Sequence, residues 1–119
     1  FVFINGGTEN TKTKAQDWLK KLNEIGVGEV FLNFIDRDGL GNGFEIEFTN
    51  EIMKFMNIPI ILCGGAGNED HFLDAIKKTD VDAIAAANFF HFKDQSVYYT
   101  KKKLCDNNLN FRKPDIIEI

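Results

Sequence analysis

The chain has 119 residues, of which 44% are hydrophobic and 27% charged, with a formal net charge of −4. That balance suits one soluble globular domain with a modest core and excludes a disordered chain. The acidic balance argues against a nucleic-acid partner, and no apolar run approaches the roughly 18 residues of a membrane span.

Phe1–Ile4 is a short extended piece that ends in the turn Asn5-Gly6-Gly7. It is too short for a signal peptide and has no basic lead-in. The first residue is Phe1 and not methionine, so the expectation is a part of a longer protein. Thr13-x-x-Gln16 reads as a capping box. Ala15, Trp18, Leu19, Leu22 and Ile25 then recur at helical spacing, and Gly26 stands where a left-handed C-cap belongs.

Glu29–Ile35 reads as a mostly apolar strand covered on both faces. Asp36–Gly43 is a polar, Gly-rich loop. A helix is predicted over 47–56, with Ile52, Met53 and Met56 inward. Pro59 opens a strand over Ile60–Cys63, followed by Gly64-Gly65-Ala66-Gly67. Asn68 is placed to cap a helix whose Phe72, Leu73 and Ile76 face the core. Ala83–Ala87 is the last strand, and Asn88–Phe92 fits one tight helical turn. Ser96 is placed to cap a final helix through Leu104, and beyond Asp106 the tail is polar and irregular.

Strands alternating with helices imply βαβ crossovers and a parallel sheet. The spacing between units is that of the (β/α)₈ barrel, which closes with eight units in about 250 residues. Only three full units fit here. The chain is therefore part of a larger barrel or pairs with another copy or partner.

Ligands of parallel α/β folds bind at the C-terminal ends of strands, so three loops matter. Gly64–Gly67 leaves a strand and enters a helix, a setting that suits phosphate, although a glycine pair there can also be a plain turn. The strand after it ends in Ala86, Ala87 and Asn88, followed by a short helix. A phosphate site between the last two strands and an extra short helix is a known device of this barrel. In Asp36-Arg37-Asp38-Gly39, the bland reading pairs Arg37 with an acid. The functional reading puts Asp38 over the pocket and the Gly39 N–H on a phosphate.

Period-2 alternation puts Glu29, Phe31, Asn33 and Ile35 on one face of their strand. If that face is the barrel interior, Asn33 lies near the site mouth and Glu29 at the opposite end. The bland reading of Glu29 is a structural ion pair. His71 and His91 are the only histidines, and in their settings both read as structural. Cys63 and Cys105 are the only cysteines and have no CxxC partner. No disulfide, metal or other cofactor is expected, and a reduced cytoplasmic setting is the default.

Gly28-Glu29-Val30-Phe31-Leu32, Ile35-Asp36-Arg37-Asp38-Gly39, Cys63-Gly64-Gly65-Ala66-Gly67, His71-Phe72 and Phe90-His91-Phe92 together resemble the cyclase family of imidazole glycerol phosphate synthase subunits. Asn10-Thr11 and Asp17-Trp18 fit as well. The resemblance covers almost the whole chain in one register. It implies a (β/α)₈ TIM barrel with residues 1–119 as the C-terminal part of that single domain, the last three βα units. The strands within it would be the sixth, seventh and eighth.

It also implies a lyase of histidine biosynthesis that takes ammonia from a glutaminase partner. Its bis-phosphorylated substrate, a phosphoribulosyl formimino-aminoimidazole carboxamide ribonucleotide, becomes imidazole glycerol phosphate plus aminoimidazole carboxamide ribonucleotide. By the resemblance Gly39, Gly65, Ala87 and Asn88 hold one phosphate. Asn33, Asp38 and Gly64 support the site, and Glu29 belongs to the ring through which ammonia enters. The family's general acid and base, two aspartates, would lie before Phe1, so the chain alone is expected to be inactive.

Asn33, Phe34, Leu40, Cys63 and Asn88 depart from the family's usual Thr or Ser. The departures resemble cyclase paralogues that deliver ammonia to a sugar acceptor in surface-glycan synthesis. A non-catalytic phosphate-binding half-barrel is the remaining alternative.

Overall fold

A computed structural model describes residues 1–115. The elements run β1 (Phe3–Ile4), β2 (Glu9–Asn10), α1 (Ala15–Ile25), β3 (Val30–Asn33), α2 (Ile46–Met53), β4 (Ile60–Cys63), α3 (Glu69–Lys78), β5 (Ala83–Ala85), α4 (Asn88–Phe92) and α5 (Ser96–Asp106). β3, β4 and β5 form one parallel sheet in that order, and β1 and β2 form a separate antiparallel ribbon. Among the described residues no helix is long and apolar enough to cross a membrane.

The order of helices and strands follows the sequence reading, and several local details do not. Glu9–Asn10 was not foreseen as a strand; it pairs with Phe3–Ile4 across the Asn5–Gly7 turn. The Thr13 capping box is not formed. Lys14 is the N-cap of α1 and makes no side-chain cap, while the Thr13 N–H is held by Thr11 Oγ1 at 3.2 Å. Ser96 does not cap α5 either: it is the first helical residue, buried, behind Gln95 in a left-handed conformation. α2 stops at Met53, and Met56 reaches the core from the loop that follows. Residues 116–119 of the polar tail lie outside the described residues.

The helix ends that do match their signals have clear causes. Gly26 takes φ 76° and its N–H donates to the Leu22 carbonyl, closing α1 as a left-handed C-cap does. Asn68 Oδ1 accepts the His71 N–H at 3.0 Å and caps α3.

The sheet is covered on one face only. Val30, Ile60 and Leu62 are buried under α1, α2, α3 and α5, packed with Leu19, Ile52, Met56, Phe72, Ala75 and Leu104. Burying each large aliphatic side chain stabilises the fold by roughly 1.5–3 kcal/mol. Phe44, Phe72, Phe89 and Phe90 add an aromatic knot, with the Phe44–Phe72 rings edge to face at 5.4 Å. Phe31 points to the other face and is 58% exposed, beside exposed Asn33 and Ile35. The expectation of a strand covered on both faces is thus corrected for β3.

The register places Asn33 beside Cys63 and Cys63 beside Ala85. The three strands therefore end level. Their following loops, Asp36–Gly43, Gly64–Gly67 and Ala86–Asn88, emerge side by side.

Candidate functional site

The Gly64–Gly67 turn is packed backbone to backbone on the Asp36–Gly43 loop. The Gly43 N–H donates to the Gly65 carbonyl at 2.8 Å. Gly65 has φ 109°, and a Cβ there would lie 2.1 Å from the Gly43 carbonyl oxygen. A Cβ on Gly64, at φ 97°, would lie 2.6 Å from the Phe34 carbonyl oxygen. Only glycine satisfies both the conformation and the space at these two positions.

Where the three loops meet there is a narrow slot lined by Asp38, Gly39, Gly64, Gly65, Ala66, Ala86, Ala87, Asn88 and Phe89. Among the described residues, the N–H groups of Gly39, Gly65, Ala66 and Asn88 meet no protein acceptor. Unpaired backbone donors around one slot suit an anion. Among the described residues no cationic side chain lines the slot. Arg37 is turned away: its Nε donates to Glu45 Oε2 at 2.8 Å and its guanidinium also reaches the Gly43 carbonyl. The bland reading of Arg37, pairing with an acid, is what the structure shows.

The slot opens into a wide, solvent-accessible groove lined by Asp38, Gly39, Ala87, Asn88, His91 and Phe92. Asp38 stands at the junction of the two. The structure thus brings together Asp38, Gly39, Gly64, Gly65, Ala87 and Asn88. Asn33 is next to them, its Oδ1 3.0 Å from the Cβ position of Gly64, and does not line the slot. Glu29 is exposed at the opposite end of β3. An exposed carboxylate needs no buried ion-pair partner, so the structural argument for one at Glu29 falls away.

Five lining residues were not among the site residues expected from sequence. Ala66, Ala86 and Phe89 close the slot, and His91 and Phe92 edge the groove. The last two lie three and four residues after Asn88, a spacing that puts them on its side of the short helix α4. That spacing was a readable signal.

Cys63 ends β4 beneath this site and is buried. Burial pushes its thiol above the ordinary cysteine value, the Asp38 carboxylate pushes the same way, and the Gly64 N–H pulls back. A thiol held protonated is no nucleophile. Among the described residues no cluster of His, Cys, Asp and Glu could hold a metal ion.

Comparison with known proteins matches residues 1–96 to the family described as histidine biosynthesis protein. The chain is 45% identical over 93% of its length to imidazole glycerol phosphate synthase subunit HisF of Hydrogenobaculum sp. strain Y04AAS1. It is 42% identical, over the same share, to the subunit of that name from Clostridium botulinum strain 657. A third relative so named, from Nitrosopumilus maritimus strain SCM1, is 42% identical. The chain spans 44% of the length of the first two and 42% of the third.

Proposed function

The chain belongs to the histidine biosynthesis protein family, and from that premise we propose that it is the phosphate-binding portion of an imidazole glycerol phosphate synthase cyclase. In this reading β3, β4 and β5 are the last three strands of a (β/α)₈ barrel, and residues 1–119 belong to that one domain. The open sheet face is the barrel interior, and the slot is at its C-terminal mouth.

The observation that carries the reading is that Gly39, Gly65, Ala66 and Asn88, whose N–H groups meet no protein acceptor among the described residues, line one slot. Held there, one phosphate of a bis-phosphorylated substrate would anchor the molecule, with Ala87 letting its backbone approach closely. The wide groove beyond would take the rest of the substrate past Asp38, which stands where a carboxylate can orient a substrate hydroxyl or amine. Asn33 and Gly64 keep the floor of the mouth in place. The names of the relatives support this reading over surface-glycan and non-catalytic ones.

Glu29, at the other end of the same strand, fits the face that takes ammonia from a glutaminase subunit. The reaction calls for no resident cofactor on these residues and fits a soluble cytoplasmic setting. The chain alone does not complete the proton transfers of ring closure, because the family's acid and base aspartates have no counterpart in it.

Complementation tests the function: the complete gene carrying this chain, expressed in a histidine auxotroph lacking its own cyclase, is expected to restore growth. No growth with verified expression of folded protein would overturn the assignment. Robust ammonia-dependent turnover by the purified 119-residue chain would overturn the claim that it is inactive alone.

A further inference from the structure

We propose that His71 is a positioning residue for the phosphate slot: it ties the Gly64–Gly67 turn to the Asp36–Gly43 loop, so that N–H donors from both point at one guest. The inference rests on the phosphate reading above and assigns a role to a histidine that the sequence left as merely structural.

The Gly67 N–H donates to His71 Nδ1 at 3.1 Å. The His71 N–H donates to Asn68 Oδ1 at 3.0 Å. The turn is thereby closed onto the first turn of α3. The imidazole also borders the neighbouring loop: the space that a Cβ on Gly43 would occupy lies 3.8 Å from its Cδ2 and Nε2 atoms. Gly43 is the residue whose N–H holds the Gly65 carbonyl. One ring therefore holds the Gly64–Gly67 turn within two residues of the Gly65 and Ala66 donors and borders the neighbouring loop at Gly43.

The ring accepts at Nδ1, so that nitrogen carries no proton in this arrangement. The Gly67 N–H is used inside the protein, which leaves the donors of Gly65 and Ala66 for a guest. Donors in such sites work only when held within about 0.5 Å of the productive geometry. Losing the ring would free the turn to shift against Gly41 and Gly43. The cap of α3 would survive, because Asn68 bonds the backbone of residue 71 and not its side chain. A loss of phosphate affinity can thus be separated from a loss of helix.

The test titrates inorganic phosphate into the 119-residue chain by calorimetry, with thermal unfolding recorded in parallel. His71→Ala is expected to weaken phosphate binding roughly tenfold, the scale of one lost supporting hydrogen bond. His71→Asn, whose Oδ1 stands where Nδ1 stands, is expected to restore it. If the parent chain binds no phosphate, the slot reading itself fails and takes this inference with it. If the parent binds and His71→Ala binds equally well, the slot stands and the role of His71 is overturned. Equal weakening in the Ala and Asn variants also overturns it. Should His71→Ala not fold, His71→Gln replaces it, with its carbonyl placed near Nε2. Strong binding by Asn with weak binding by Gln supports the proposal, and equal binding by both sinks it.

Discussion

Gly65 shows how a residue's type and its job can come apart. The sequence allowed two readings of the Gly64-Gly65 pair, a phosphate cradle and a plain turn. The structure shows a steric demand that is sufficient by itself, since any Cβ on Gly65 would overlap the Gly43 carbonyl. Glycine there is no proof of a ligand; its N–H, without a protein acceptor among the described residues, is the better sign. Gly65→Ala is expected to destabilise the chain by about 1–3 kcal/mol, from strained φ and the clash together. Chemical denaturation measures this, and an unchanged midpoint would contradict the packing described.

Arg37 is the reverse case. It looked like the cation of the site and is a strut between its own loop and Glu45. Nothing local in the sequence distinguishes the two roles, because Glu45 is eight residues away across a glycine-rich loop. At Cys63, burial and the Asp38 charge hold the thiol above its ordinary value, so little thiolate forms near neutral pH. Half-buried Cys105 is expected to react first with a thiol reagent. Mass spectrometry of a partial reaction reads this out; modification of Cys63 ahead of Cys105 would contradict it.

At the scale of elements, α3 is the best-defined helix in the sequence and in the fold. It has an Asn cap, acids in its first turn and lysines in its last, each complementing the helix dipole. Asn68→Ala is expected to cost about 1 kcal/mol, measurable as a lower denaturation midpoint.

The acids of that first turn also clasp the chain that follows. Glu69 meets Lys93 at 2.5 Å and Asp70 meets Lys103 at 2.7 Å. The hydrogen bond from Lys93 holds the Glu69 carboxyl below the usual carboxylate range. Since its folded value is depressed, its stabilisation is full above the unfolded carboxylate value and is lost as pH falls through the folded one. Glu69→Gln is expected to lower stability slightly above the carboxylate range, where the clasp is intact, and to flatten the loss of stability on the acid side. A parallel drop of parent and variant across the acid range would contradict the clasp. Such pairs are partly exposed, so the effect is small and weakens with salt.

The elements that sequence reading misplaced are those with weak local signals. A two-residue strand such as Glu9–Asn10 has no periodicity to detect. The Thr13 and Ser96 caps were chemically sound and were displaced by one residue each, to Lys14 and Gln95. Helix starts are set as much by what the first turn packs against as by the capping residue.

For the whole molecule, the decisive feature is the sheet's two unlike faces. Val30, Ile60 and Leu62 carry the core, while Phe31 is mostly exposed on the uncovered side. Leu62→Ala is expected to cost about 2–5 kcal/mol. Phe31→Thr is expected to leave stability within about 0.5 kcal/mol. It should also reduce self-association and dye binding, since exposed apolar patches drive both. Sedimentation and ANS fluorescence check this. A Phe31→Thr chain as destabilised as Leu62→Ala would mean that the open face is not open.

The alternation of apolar runs and amphipathic helices determined the order of elements and the parallel sheet, because periods of 2 and 3.6 residues are local properties of the chain. The motifs Arg-Asp-Gly and Gly-Gly-Ala-Gly determined which loops to watch and pointed to the family. Tertiary structure alone decided which face of the sheet is covered and that Arg37 faces Glu45. It also decided that the Gly67 N–H meets the His71 ring and that Gly39 and Asn88, 49 residues apart along the chain, line one slot. Those outcomes depend on contacts between segments distant along the chain, and no local pattern encodes them.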